Sequence, residues 1–246
     1  MTQPASAEAE LPPYDGIRLA DVTLVKTPEQ AAAARDALLA ADAIGFDTES
    51  KPTFTKGEVS TGPHLIQFAT DRHAYLFQVG AQTDAATLVL LQAILEPATP
   101  LKIGFGLSDD VKRLYAKLAI RAGGVVDLSV ALRTPGQRND LGARTAVAKF
   151  FGRKLQKSRK ISTTNWSLPR LNDQQLLYAA DDAQVALRVY RQWLAEGGRL
   201  KPMKAVKLPR PPRVAQAGAT SADAAAAAQA APRPAAASAK ADVSNS

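Results

Sequence analysis

Short apolar runs alternate along the chain with stretches in which apolar residues recur at helical spacing. This pattern predicts alternating strands and helices over roughly the first 200 residues. Thr27, Ser108 and Asn172 each precede a helical stretch and are the predicted N-caps. Strands are predicted at 22–26, 43–49, 64–70, 74–79, 101–105 and 124–129, and helices at 28–41, 83–95, 109–118, 141–151 and 172–196.

The predicted strand 43–49 ends in two acids, Asp47 and Glu49. Residues two apart in a strand point to the same face, so the two carboxylates should project together. Such a pair of anions raises its own pKa values unless a cation lies between them. Oxygen ligands suit hard cations such as Mg²⁺ or Mn²⁺. A solvated strand end is the alternative interpretation of this pair.

Two later helices each carry adjacent acids that helical spacing separates into a polar and a buried member. Asp109 shares a polar stripe with basic residues, whereas Asp110 lies beside the apolar stripe. Asp182 shares an apolar stripe with Tyr178, whereas Asp181 is predicted to face solvent. An acid on an apolar stripe is costly to bury unless it is paired or binds a metal.

Composition excludes several kinds of chemistry. The 246 residues include no Cys and only two His, His64 and His73, so thiolate sites and His-rich metal sites are excluded. Both His residues are predicted to be polar strand ends rather than ligands. Neither a signal peptide nor a run long enough to cross a membrane is recognised, so we expect a cytoplasmic protein without a membrane partner.

Charge and composition divide the chain into three parts. We expect a flexible N-terminus over residues 1–16, one domain over 17–197 and a disordered tail rich in Lys, Arg, Pro and Ala over 198–246. Of the net charge of +8, the chain after residue 200 carries +5, which leaves +3 on the rest. We expect the acid-free segment 199–213 to add salt-sensitive affinity for nucleic acid.

The basic segment 153–166 leads into the last helix. It could line a path for phosphates, or it could be a solvated loop. Trp166 closes this segment; we favour a packing role for it over stacking on a base.

Three segments together resemble the motifs of the DEDD 3′–5′ exonucleases. They are residues 47–49 (Asp-Thr-Glu), 106–110 (Gly-Leu-Ser-Asp-Asp) and 178–182 (Tyr-Ala-Ala-Asp-Asp). The Tyr four positions before the last Asp resembles the DEDDy branch, which includes ribonuclease D and the Werner exonuclease domain. The middle motif, which has no His, looks closer to the Werner type. Each motif alone is weak, but three in this order and spacing are specific.

The resemblance implies an α/β, RNase H-like (DnaQ-like) fold, a mixed sheet flanked by helices. It also implies two Mg²⁺ or Mn²⁺ ions held by four acids, which would hydrolyse nucleic-acid 3′ ends and release nucleoside 5′-monophosphates. By resemblance, Asp47 would bridge the ions, Glu49 and Asp182 would complete the site of the attacking water, and Asp110 would support the second ion. Tyr178 would orient or deprotonate that water.

Two other functions remain open from the sequence. One is a catalytically inactive nucleic-acid-binding module of the same fold. The other is a phosphatase or nucleotide hydrolase that uses the same ions. DNA or RNA is the expected partner, and the oligomeric state is not predicted.

Overall fold

The computed structural model describes residues 11–55, 57–80, 83–133, 141–201 and 206–208. Within them, six strands form one mixed sheet in the order β1-β4-β3-β2-β5-β6. β2 lies inside the sheet, antiparallel to β3 and parallel to β5, so the strand that carries the first two acids has a neighbour on each side. The strands are β1 (Val22–Leu24), β2 (Ala43–Glu49), β3 (Leu65–Ala69), β4 (Ala74–Gln78), β5 (Leu101–Gly104) and β6 (Val125–Asp127).

Helices cover both faces of this sheet. Ile44 and Phe46 point toward the layer of α1, α2 and α3, while Ala43 and Ile103 point toward α5 and α7. This alternation along β2 places Asp47 and Glu49 on the side of α7. The helices are α1 (Pro28–Leu39), α2 (Ala85–Leu95), α3 (Ser108–Leu118), α4 (Leu128–Ala131), α5 (Ala143–Phe151), α6 (Arg159–Ser162) and α7 (Asp173–Ala195), and a 3₁₀ turn spans Leu19–Asp21.

Most of the predicted elements are confirmed, together with several of the signals that start and stop them. Thr27 and Asn172 both form capping boxes, with Gln30 and Gln175 respectively. Gly152 ends α5 in the left-handed conformation, at a φ of 59°. The mixed sheet flanked by helices is the fold that the resemblance implied.

Other local predictions are wrong. Ser108 is not the N-cap of α3 but its first residue, because the cap position falls on Leu107, whose side chain makes no capping bond. The short helices α4 and α6 were not predicted, since four residues are too few to show a helical period. No helix in the described ranges is long and apolar enough to cross a membrane.

The structure describes only part of the N-terminal segment 1–16, which was predicted to be flexible. Residues 1–10 lie outside the described residues, but residues 11–16 are attached to the domain. Tyr14 donates its N–H to the Lys154 carbonyl, and Lys154 donates its own N–H to Pro12. Of the predicted tail 198–246, the structure describes only 198–201 and 206–208, so the tail and most of segment 199–213 lie outside the described residues.

Candidate active site

A glycine in β2 lets α7 cross the sheet at close range. A Cβ added to Gly45 would collide with the backbone carbonyl of Ala183. Ala179, Ala180 and Ala183 are all fully buried against the sheet, so small residues line this contact on the helix as well. The close crossing brings Asp182, the residue before Ala183, to the carboxyl end of β2, where Asp47 and Glu49 lie.

Asp47 and Glu49 lie in surroundings that disfavour negative charge. Burial, reinforced by the carboxylates of Asp110 and Asp182, holds the pKa of Asp47 well above its usual value. Burial and the neighbouring charges of Asp47 and Asp182 raise the pKa of Glu49 to about 9. Carboxyl groups held this close need either protons or cations.

Asp110 joins the cluster from the first turn of α3, on the opposite face of the sheet. Thr48, between the two strand acids, donates its hydroxyl to Asp110 Oδ1 at 2.5 Å. The pKa of Asp110 is raised, because burial raises it by more than this hydrogen bond lowers it. Asp109 lies at the surface in an ion pair with Lys112, as the spacing predicted.

The turn before α3 is fixed by an acid from another strand. The Asp127 carboxylate accepts the N–H groups of Gly106 and Leu107 at 2.8 and 3.0 Å. It also accepts the Ser129 N–H at the start of α4. Asp127 thus holds the start of α3, and with it Asp110, at the edge of the site.

Asp182 is held against a lysine that the sequence did not single out. Its side chain is 7% exposed, and its Oδ1 lies 2.8 Å from Lys157 Nζ. Burial raises the pKa of Asp182, while the lysine and a hydrogen bond from the Tyr178 hydroxyl lower it. Burial opposes the charge of Lys157, yet Asp182, Asp47 and Glu49 keep its pKa above the usual value.

Tyr178 lies half-buried between the acids and a buried tryptophan. Burial, followed by the charges of Asp182, Glu49 and Asp47, raises the pKa of its hydroxyl well above the usual value. The phenol therefore stays protonated and can donate a hydrogen bond. Trp166 is fully buried, with its ring centroid 6.1 Å from that of Tyr178, so its packing role is confirmed and it is not available to stack on a base.

Asp181 does not face solvent as predicted. It is half-buried and accepts the Ile17 N–H at 2.8 Å, which ties α7 to the N-terminal segment. Gln184, three positions further on the same side of the helix, is also buried. Helical spacing alone could not show that another segment covers this face.

The two histidines have structural contacts. His64 Nδ1 accepts the Lys51 N–H at 3.0 Å, and His73 Nε2 is bonded to the Thr23 hydroxyl at 2.8 Å. Both lie beside strand ends, as predicted, and neither belongs to the acid cluster.

A buried amide lies beside Asp47. Gln67 pairs with Asp47 across β2 and β3, and paired residues share a face of the sheet. Its side chain is fully buried, and neither of its polar atoms has a hydrogen-bond partner within the described ranges. An unpartnered buried amide is costly, so Gln67 provides polar atoms that the fold itself does not use.

The chemistry of the cluster fits hard divalent cations. Asp47, Glu49, Asp110 and Asp182 supply only oxygen, and their raised pKa values show a need for positive charge. Lys157 supplies part of that charge at Asp182. No three His, Cys, Asp or Glu side chains in the described part of the chain are placed to hold a metal ion together.

A mixed sheet flanked by helices, with buried acids at the end of a central strand, is the architecture of RNase H-like nucleases. A family model described as 3′–5′ exonuclease matches residues 22–196, and the chain belongs to this family.

Individual relatives agree with this assignment. An Arabidopsis thaliana 3′–5′ exonuclease is 28% identical over 153 residues, covering 60% of this chain and 51% of the relative. The mouse bifunctional 3′–5′ exonuclease/ATP-dependent helicase WRN is 26% identical over 152 residues, covering 61% of this chain and 11% of the relative. The chain thus matches about half of one relative's length and a small part of the other's.

Solved structures share the fold. The EXO domain of Aedes aegypti Nibbler superposes with a TM-score of 0.61 at 25% identity, covering 74% of this chain and 94% of that domain. Escherichia coli RNase D, an exoribonuclease, superposes with a TM-score of 0.60 at 25% identity, covering 72% of this chain and 46% of that enzyme. The resemblance to ribonuclease D and the Werner exonuclease domain is therefore confirmed.

Proposed function

We propose that this chain is an active 3′–5′ exonuclease of the DEDDy type, which releases nucleoside 5′-monophosphates from nucleic-acid 3′ ends with the help of two divalent ions. The observation that carries the proposal is the set of carboxyl groups gathered at the end of β2, whose pKa values are raised by burial and by one another's charges. Strongly perturbed acids gathered in this way are typical of catalytic sites.

The chain's own residues would share the work as follows. Asp47, Glu49, Asp110 and Asp182 would hold the ions. Mg²⁺ or Mn²⁺, when bound, stabilises negative charge on the attacking and leaving oxygens and lowers the pKa of water. The Tyr178 hydroxyl, which keeps its proton, would orient the attacking water by a hydrogen bond rather than act as a base.

Thr48 would position Asp110 rather than touch the substrate. Its hydroxyl bonds Asp110 Oδ1 and so fixes the side chain's direction toward the site. Partners of this kind orient a ligand without binding the metal themselves.

Nucleic acid is the partner that the relatives support. One solved structure that shares the fold is Trypanosoma brucei RNase D in complex with RNA U12, with a TM-score of 0.59 at 22% identity. The mouse relative carries a helicase in addition to its exonuclease. Either RNA or DNA is therefore a substrate to be tried.

The test is digestion of end-labelled single-stranded DNA, duplex DNA and RNA, each with Mg²⁺, Mn²⁺ or chelator. We expect products to shorten from the 3′ end only with a divalent ion, and Asp47→Ala and Asp182→Asn to abolish the reaction. Asp110→Asn should lose most activity, whereas its neighbour Asp109→Asn, at the surface, should keep it.

Other outcomes assign a different function. Binding of oligonucleotides without any product would indicate an inactive binding module. Release of phosphate from free nucleotides, with intact oligonucleotides, would indicate a phosphatase or nucleotide hydrolase. Full activity of Asp47→Ala would overturn the assignment of the site.

A further inference from the structure

A lysine ammonium lies inside the proposed metal site. Lys157 Nζ is 2.8 Å from Asp182 Oδ1, and the two side chains are 28% and 7% exposed. Asp47 and Glu49 also attract it. Lys157 is therefore a cation in contact with one of the four acids that would bind the divalent ions, and it is attracted by two others.

Hydrogen bonds fix the backbone around Lys157, while its side chain reaches Asp182 on a flexible stem of four carbons. The Arg144 guanidinium donates to the Lys157 carbonyl at 2.6 Å. Ser158 next to it caps α6 by accepting the Ile161 N–H. A lysine ammonium on its four-carbon stem can therefore leave Asp182 while the backbone stays in place.

A basic pocket next to Lys157 offers a second position for its ammonium group. A pocket of about 170 Å³ adjoins Lys157 and is lined also by Arg144, Arg153 and Lys154. This basic surface suits a phosphate group, and a lysine binds phosphate as a point charge. Lys157 thus lies between the acids on one side and a phosphate-compatible pocket on the other.

An ammonium and a divalent ion compete for the same carboxylate, because each needs the same oxygen and the two cations repel. We propose that Lys157 is a built-in competitor of the divalent ion at Asp182, which keeps metal affinity low until a phosphate of the nucleic acid draws its ammonium away. The inference rests on the proposed function, since it presumes that Asp182 binds a metal.

The decisive measurement is the affinity of the full chain for Mn²⁺ by titration calorimetry, without nucleic acid. We expect Lys157→Met to bind Mn²⁺ about tenfold more tightly than the wild type, which is within the usual range of coupling between two ligands. Lys157→Arg keeps the charge and should bind Mn²⁺ as weakly as the wild type. Lys160→Met, an exposed lysine of the same segment, should leave the affinity unchanged and so controls for net charge.

Thermal unfolding gives a second readout that needs no activity. In chelator, Lys157→Met should melt at a lower temperature than the wild type, because Asp182 is left buried without its partner. Saturating Mn²⁺ should raise the Tm of the variant by more than it raises that of the wild type. If the methionine variant does not fold, Lys157→Gln, whose amide can still bond Asp182, serves in both measurements.

Coupling to phosphate completes the test. A phosphorothioate oligonucleotide that resists cleavage should tighten Mn²⁺ binding to the wild type by a larger factor than to Lys157→Met. Equal or weaker Mn²⁺ affinity in both neutral variants, beside a wild type that digests oligonucleotides with Mn²⁺, would overturn this inference alone. A wild type that binds Mn²⁺ but digests nothing would overturn the proposed function, and the affinities of the variants would still decide the role of Lys157.

Discussion

The strand β2 has acids at both ends, and their surroundings are opposite. Just before the strand, Asp42 receives two hydrogen bonds from Arg191 of α7, at 2.7 and 2.6 Å, and the same guanidinium also reaches Asp71. The Arg191 hydrogen bonds lower the pKa of Asp42 to about 2. At the far end, burial and neighbouring carboxylates raise the pKa of Glu49 to about 9.

Both ends use the same strand and the same helix, so the difference comes from the partner that each acid receives. A guanidinium that meets a carboxylate with two bonds neutralises its charge and links the helix to the sheet. The other end gathers four carboxyl groups, and one of them, Asp182, is in contact with the ammonium of Lys157. The end of β2 at Asp42 links the strand to α7. The end at Glu49 has more negative charge than Lys157 can balance, and bound cations could balance the rest.

The largest expected effect comes from removing charge at the acid-rich end. Glu49→Gln should reduce metal-dependent digestion at least about 100-fold, because it removes one electrostatic element of the reacting site. In chelator at pH 8 the same variant should melt at a higher temperature than the wild type, since a buried carboxyl group that resists ionisation is gone. Gel assays of digestion and calorimetry measure the two effects, and a loss of both activity and stability would contradict our description of this end.

A smaller effect is expected on the pH dependence of stability. Because the pKa of Glu49 is raised from 4.5 to about 9, the folded state holds a proton that the unfolded state has lost in this range. The contribution of Glu49 to stability is therefore fully present below about pH 4.5 and declines as pH rises toward 9. The Tm of the wild type in chelator should fall by several degrees between pH 5 and pH 9, at about 2–4 °C for each kcal/mol.

Glu49→Gln is the matched control for this pH series. Its Tm should fall less over the same range, and the gap between variant and wild type should widen with pH. Parallel curves would show that Glu49 does not carry the effect.

The smallest effect is expected at the other end of the strand. Asp42→Asn should lower the Tm by at most about 3 °C at pH 7, since partly exposed ion pairs contribute little, and should leave digestion unchanged. The pKa of Asp42 is lowered, so its contribution is present above about pH 3.8 and is lost as pH falls through about 2. The two proteins should therefore melt alike only below about pH 2, and a loss of digestion in Asp42→Asn would contradict the division between the two ends.

Sequence patterns identified the acids of the site but not the residues that contact them. The alternation in β2 and the apolar stripe of α7 selected Asp47, Glu49, Tyr178 and Asp182, and the structure brings these residues to one place. The same reasoning failed for Asp181, because the Ile17 N–H that it accepts comes from 164 positions away. Sequence reasoning also did not separate Lys157 from the other basic residues of the segment 153–166.

The sequence by itself determined most of the elements and caps and the faces of the four candidate ligands, because these depend on local spacing and on neighbours a few positions away. It also determined, through its three motifs, the family to which the chain belongs. Only the tertiary structure decided which charges meet: Lys157 with Asp182, Thr48 with Asp110, and Arg191 with Asp42. Such contacts depend on how α7 crosses the sheet at Gly45 and on the paths of the connecting loops. Local periodicity in the sequence contains no information about these two features.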